Sequence, residues 1–157
     1  MSEPAKSNAP PRGLARCLNA AGGIGMKDAV ARAALHMEMM QERTLGIMEE
    51  SFAGIVGLLA QIDGAPTHDA RKELHQLSCT LAGLGGMFGR DALSKAAYSF
   101  CRLIDMTEPG WDAAAVAVHV HTMRLLFKPE RVPADMQASL IEGLVKVRRT
   151  VAPATPG

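Results

Sequence analysis

The sequence predicts an all-α protein: an antiparallel up-down four-helix bundle with additional N- and C-terminal helical segments. Three observations carry this. Aromatic residues make up only 4% of the chain, while Met, Ala and Leu abound, and helices accept those residues better than strands do. Apolar side chains recur three and four residues apart in successive segments, and no strand-like alternation competes with them. The breaks between segments are short and rich in Pro and Gly, which makes consecutive helices antiparallel neighbours.

Residues 1–25 are rich in Pro, Gly, Ala, Ser and Asn and read as a flexible tail. Residues 26–128 read as the bundle. Met26 to Ile62 contains no proline and is helical by pattern, with Leu45, Met48, Phe52, Ile55, Val56, Leu59 and Ile62 on one face. Its first half has a weaker stripe (Val30, Ala33, Ala34, Met37), so either a break near Gln41 to Gly46 or a helix extending past the domain is expected. "DGAPT" ends it, and Thr67 is a candidate N-cap for the next helix, with Asp69 in its first turn. That second helix runs from about His68 to Leu84 and stops at Gly85-Gly86. "GRDALSKAAYSFCRLID" gives a third, with Leu93, Ala96, Ala97, Phe100 and Ile104 inward. Asp112 to Phe127 gives a fourth, with Val116, Val120, Met123 and Phe127 on one side. Pro133 opens a C-terminal helix, 133–151, packed on the bundle, and residues 152–157 are a tail.

Composition narrows the function. Net charge is +1, so no global basic field draws nucleic acid or an anionic membrane. No apolar run approaches the length of a membrane span, and the N-terminus lacks a secretion signal. Cys17, Cys79 and Cys101 show no CxxC spacing and no even count, which fits free thiols in the cytoplasm. "HVHTM" does not make a metal pair, because residues two apart on a helix do not face each other. No metal site and no bound cofactor are expected. Phosphate-loop, nucleophile-elbow and paired-carboxylate motifs are absent.

The chemistry-bearing stretch is "ELHQLSCTLAGLGG", Glu73 to Gly86. At 100° per residue, Leu74, Leu77, Leu81 and Leu84 form one stripe, and His75 points about 140° from its centre. The imidazole is therefore expected in solvent. His68, Arg71 and Lys72 precede it on its side; Ser78, Cys79, Ala82 and Gly83 follow it. A face without long side chains lets another protein approach closely. A neutral imidazole is a good nucleophile near neutral pH, since its ordinary pKa is about 6.5. It can accept a phosphoryl group, and Arg71 and Lys72, four and three residues before it, can offset the added charge.

"HQLSCTLAGLGG" resembles the signature of the histidine-phosphotransfer (HPt) domain family, commonly H-x-L-K-G-S followed by an aliphatic residue and Gly. His75 matches the phosphorylated histidine, Leu77 the leucine two residues on, Thr80 the small hydroxyl position and Leu84-Gly85 the closing pair. The following "MFGRDALSKAAYSFCRLID" is similar to the family's next helix, which ends in an acidic residue. The resemblance covers about Leu45 to Phe127. It implies a phosphorelay intermediate without kinase activity, partnered by a response-regulator receiver domain or a hybrid histidine kinase, with Mg²⁺ on the receiver. Arg71, Lys72, Ser78, Cys79 and Ala82 would stabilise the phosphoryl group or dock the receiver. The family's lysine is Ser78 here and its glycine is Cys79, which motivates an alternative: a degenerate scaffold or inhibitor that binds a receiver or kinase without being phosphorylated. Surplus apolar faces, Val30 to Met37 and the C-terminal helix, either cap the bundle or form a homodimer contact.

Overall fold

A computed structural model describes residues 25–107, 110–128 and 131–151. Both expected tails, apart from Gly25, lie outside the described residues. The fold is all-helical, with five helices and no strand among the described residues: α1 Met26–Gln61, α2 His68–Met87, α3 Asp91–Met106, α4 Ala113–Leu126 and α5 Ala134–Val151. None is long and apolar enough to cross a membrane. The chain divides into two compact units, residues 1–40 and 41–157. In the first, every described residue is exposed. The second holds the core.

Helix α1 continues through Gln41 to Gly46 without a break. Its first buried residue is Thr44, followed by Met48, Ser51 and Ile55 at helical spacing. Helix α2 starts where Thr67 accepts a hydrogen bond from the Ala70 amide at 3.2 Å, which satisfies one of the amides a helix start leaves free. Asp112 caps α4 in the same way through Ala115 N, at 2.9 Å. The expected stop at Gly85-Gly86 is corrected: α2 runs on to Met87, and the positive backbone angle falls on Gly89, with φ of 72°.

Gly85 has a different task. It is buried, and a Cβ there would lie 3.2–3.3 Å from the backbone of Arg90 and Ser94. The end of α2 thus lies almost backbone to backbone on the start of α3. That close seam continues along both helices, and α3 also packs against α4 and α5. Helix α3 is the centre of the unit: Leu93, Ala96, Ala97, Phe100, Leu103 and Ile104 are all fully or almost fully buried. Around them sit Met48 and Ile55 from α1, Leu74 and Leu81 from α2, Val116, Met123 and Leu126 from α4, and Leu144 from α5. Phe52 and Phe127 stack obliquely, with ring centroids 5.7 Å apart, where α1 meets the end of α4. Burial of this apolar surface is the main favourable term in folding.

Candidate functional site

The buried side of α2 is not the leucine stripe. Leu74, Ser78, Leu81 and Gly85 face inward, and Leu77 and Leu84 are only half-buried. The inward face is thereby turned about 50° from the leucine stripe, and His75 stands about 90°, not about 140°, from its centre. The imidazole lies on the flank of α2, against α3, with 40% of its side chain exposed.

Ser78 is the plainest correction. It was expected beside His75 on the exposed side, but it is fully buried, and its hydroxyl donates to the Leu74 carbonyl at 2.6 Å. That bond removes the cost of burying a hydroxyl, and the small side chain permits close contact with α3. Ser78 therefore offers nothing to a phosphoryl group or a docking protein. Cys79 is exposed, Ala82 is half-buried and Lys72 is exposed.

Arg71 is committed elsewhere. Its guanidinium donates to the Ile104 carbonyl at 3.2 Å, the Thr107 hydroxyl at 3.1 Å and the Gly110 carbonyl at 3.4 Å. It also stands over the Trp111 ring, 5.7 Å from its centroid. The rigid fork of donors fits this bracket between α2 and the α3–α4 connection. Arg71 holds the frame of the site and is not free to turn onto a ligand.

Two residues on α3 complete the site. Asp105 Oδ1 lies 3.4 Å from His75 Nε2. Cys101 is buried, with its sulfur 3.5 Å from that of Cys79, which in turn lies 3.7 Å from His75 Nδ1. Burial, followed by the neighbouring Cys79 and Asp105, pushes the Cys101 thiol far above the ordinary cysteine range. It is a thiol at neutral pH. A small cleft of about 200 Å³ opens beside the ring, lined by His68, Arg71, Lys72, His75, Ile104 and Asp105. Larger grooves flank α4, one of about 440 Å³ and one of about 750 Å³, and neither is lined by His75.

In the tautomer that the acid favours, the ring proton sits on Nε2 towards Asp105 and the lone pair on Nδ1. Asp105 thus orients the imidazole and would stabilise a positive charge developing on it. Sequence reasoning gave neither Asp105 nor Cys101 a role. The signal for Asp105 was the acid ending the third helix; for Cys79, it was the four-residue spacing from His75. No local signal exists for Cys101, because it arrives from another helix. The donor atoms of His75, Cys79 and Cys101 lie within 4.8 Å of one another, a set with a metal-binding character that spacing along the chain did not suggest.

Comparison with protein-family models, curated proteins and solved structures yields no match.

Proposed function

We propose that the chain is a cytoplasmic histidine-phosphotransfer protein built on a four-helix bundle, which carries a phosphoryl group on His75 to or from receiver-domain aspartates. The single observation carrying this reading is the His75–Asp105 pair: a part-exposed imidazole held at 3.4 Å by a carboxylate from the neighbouring helix. An incidental surface histidine needs no such partner. The site opens on exposed Cys79 and half-buried Ala82, so a partner domain can come close.

In the forward step, the free imidazole lone pair attacks the phosphorus of a receiver's aspartyl phosphate. The N–P bond forms, and the P–O bond to the aspartate breaks, with the carboxylate leaving with the electron pair. The ring becomes cationic, and Asp105 offsets that charge. The receiver contributes its acidic pocket and Mg²⁺. Lys72, exposed on the rim of the same cleft, balances part of the phosphoryl charge.

A second reading has its own observation. Ser78 stands where the resembled family has a lysine and is buried, and Arg71 is engaged in the frame. Among the described residues lining the cleft, Lys72 is the uncommitted strong cation. A site so poor in cations also suits a protein that docks a receiver or kinase and accepts no phosphate.

Mixing the chain with receiver domains charged by acetyl phosphate separates these readings. Label that moves to the chain and is lost in His75→Gln supports phosphotransfer. Receiver binding without transfer supports the docking role, and absence of both transfer and binding across a full set of receivers refutes both.

A further inference from the structure

We infer that His75, Cys79 and Cys101 form a binding site for a borderline-soft divalent metal, Zn²⁺ in the first instance. The inference needs only the three donors, and because a metal on Nδ1 takes the lone pair that would attack phosphorus, metal-bound and phosphoryl-accepting His75 are mutually exclusive states. Two thiol sulfurs and an imidazole nitrogen are the ligand types this metal prefers, and solvent access leaves room for a fourth. Their separations suit tetrahedral coordination. Bond lengths of about 2.3 Å to sulfur and about 2.0–2.1 Å to nitrogen put neighbouring sulfurs about 3.8 Å apart and sulfur and nitrogen about 3.5 Å apart. The structure has 3.5 Å between the Cys79 and Cys101 sulfurs, and the Cys79 sulfur lies 3.7 Å from His75 Nδ1 and 3.9 Å from Nε2, so a turn of the ring would aim Nδ1 at a metal held within this set, whose donors lie within 4.8 Å of one another.

The surroundings agree with the donor set. Metal-bound histidines usually give their other ring N–H to a carboxylate, which fixes the tautomer and strengthens the ligand. Asp105 stands in that place, on the Nε2 side of His75. Binding releases the two thiol protons to solvent, so that two thiolates neutralise the divalent ion and the centre carries no net charge. That neutrality matters because Cys101 is buried and a lone thiolate there would be costly. Cys79 is exposed and His75 part-exposed, which gives an entry path and leaves the fourth position facing outward for water or an external ligand. Two ligands come from α2 and one from α3, so the metal would also staple the two helices.

The test uses the full chain, kept reduced with a non-thiol reductant, titrated with Co²⁺ and then Zn²⁺. One equivalent of Co²⁺ should produce thiolate-to-cobalt charge-transfer absorption with intense tetrahedral d–d bands, and Zn²⁺ should displace it. Cys79→Ser and Cys101→Ser should each remove the charge-transfer signal or weaken binding more than about 100-fold, and Asp105→Asn should weaken it about 10–100-fold. Cys17→Ser should leave it unchanged. Cys79 is exposed, so its variant reports even where Cys101→Ser fails to fold. Absence of the charge-transfer band, or unchanged affinity in Cys79→Ser, would overturn the site.

Discussion

Replacing His119 with Gln should change how stability responds to acid. His119 is fully buried on α4. Its Nδ1–H donates to the Ala115 carbonyl at 2.8 Å, and Nε2 accepts from the Ser99 hydroxyl at 3.1 Å. The ring is therefore neutral, with both nitrogens satisfied. Burial lowers its pKa; the charge on Arg148 lowers it further, while the Ala115 bond opposes the shift. In the unfolded chain the ring titrates near pH 6.5. Below that pH the unfolded state binds a proton that the folded state does not. The contribution of His119 is thus complete above about pH 6.5 and is lost as pH falls towards the depressed folded value. For one proton bound only by the unfolded chain, the loss between about pH 7.5 and about pH 5.5 integrates to at most about 1.4 kcal/mol. Urea unfolding across that range measures it. His119→Gln stays neutral throughout, so its curve should be flatter by up to that amount, with every other titrating group common to both proteins. Parallel stability profiles for the two would refute the reasoning.

Other outcomes follow from the frame of the site. Arg71→Ala should cost about 2 kcal/mol of stability in urea melts, because three hydrogen bonds from a charged group and a stacking contact are lost; Arg71→Lys should not restore it, since an ammonium cannot span the same acceptors. Gly85→Ala should destabilise by about 1–3 kcal/mol, as its methyl would press on backbone that cannot turn aside. Gly83→Ala, two residues earlier in the chain but with open space around it, should instead stabilise by about 0.5–1 kcal/mol in the same assay. On the phosphotransfer reading, Asp105→Asn should slow phosphoryl transfer from a charged receiver by about tenfold or more, as charge stabilisation of about 1.4 kcal/mol is removed, while leaving the melting temperature almost unchanged because Asp105 is exposed.

Much of the helical architecture was legible in the sequence. Thr67, Asp112 and Pro133 mark helix starts because capping and proline chemistry are local, and the inward face of α3 follows from apolar residues at regular spacing; on α4 the spacing finds Val116 and Met123, but His119 and Thr122 are buried while Val120 and Phe127 are only half-buried. The face of α2 was misread for a physical reason. The leucine spacing predicts a buried leucine stripe, yet close approach to α3 selects small residues, so Ser78 and Gly85 are buried while Leu77 and Leu84 lie half outside. Hydrophobic periodicity does not register a serine that satisfies its own hydroxyl on the preceding turn. The rotation has consequences for function. It moves His75 from the open side of the helix to the α3 flank, where Asp105 and Cys101 reach it. Arg71 was misread in a related way: a cation four residues before a histidine looks available until the α3–α4 connection supplies its acceptors. The unbroken α1 shows the converse, since a weak apolar stripe did not require a break where no proline or cap interrupts the helix.

The most direct test of the account is nitrogen–phosphorus NMR on protein carrying labelled histidine, after exposure to a charged receiver. A phosphoryl group bonded to one ring nitrogen of His75, with the other four histidines unaltered, is the predicted spectrum. Phosphate on a different side chain, or an unmodified His75 in a protein that the receiver has demonstrably engaged, would contradict it.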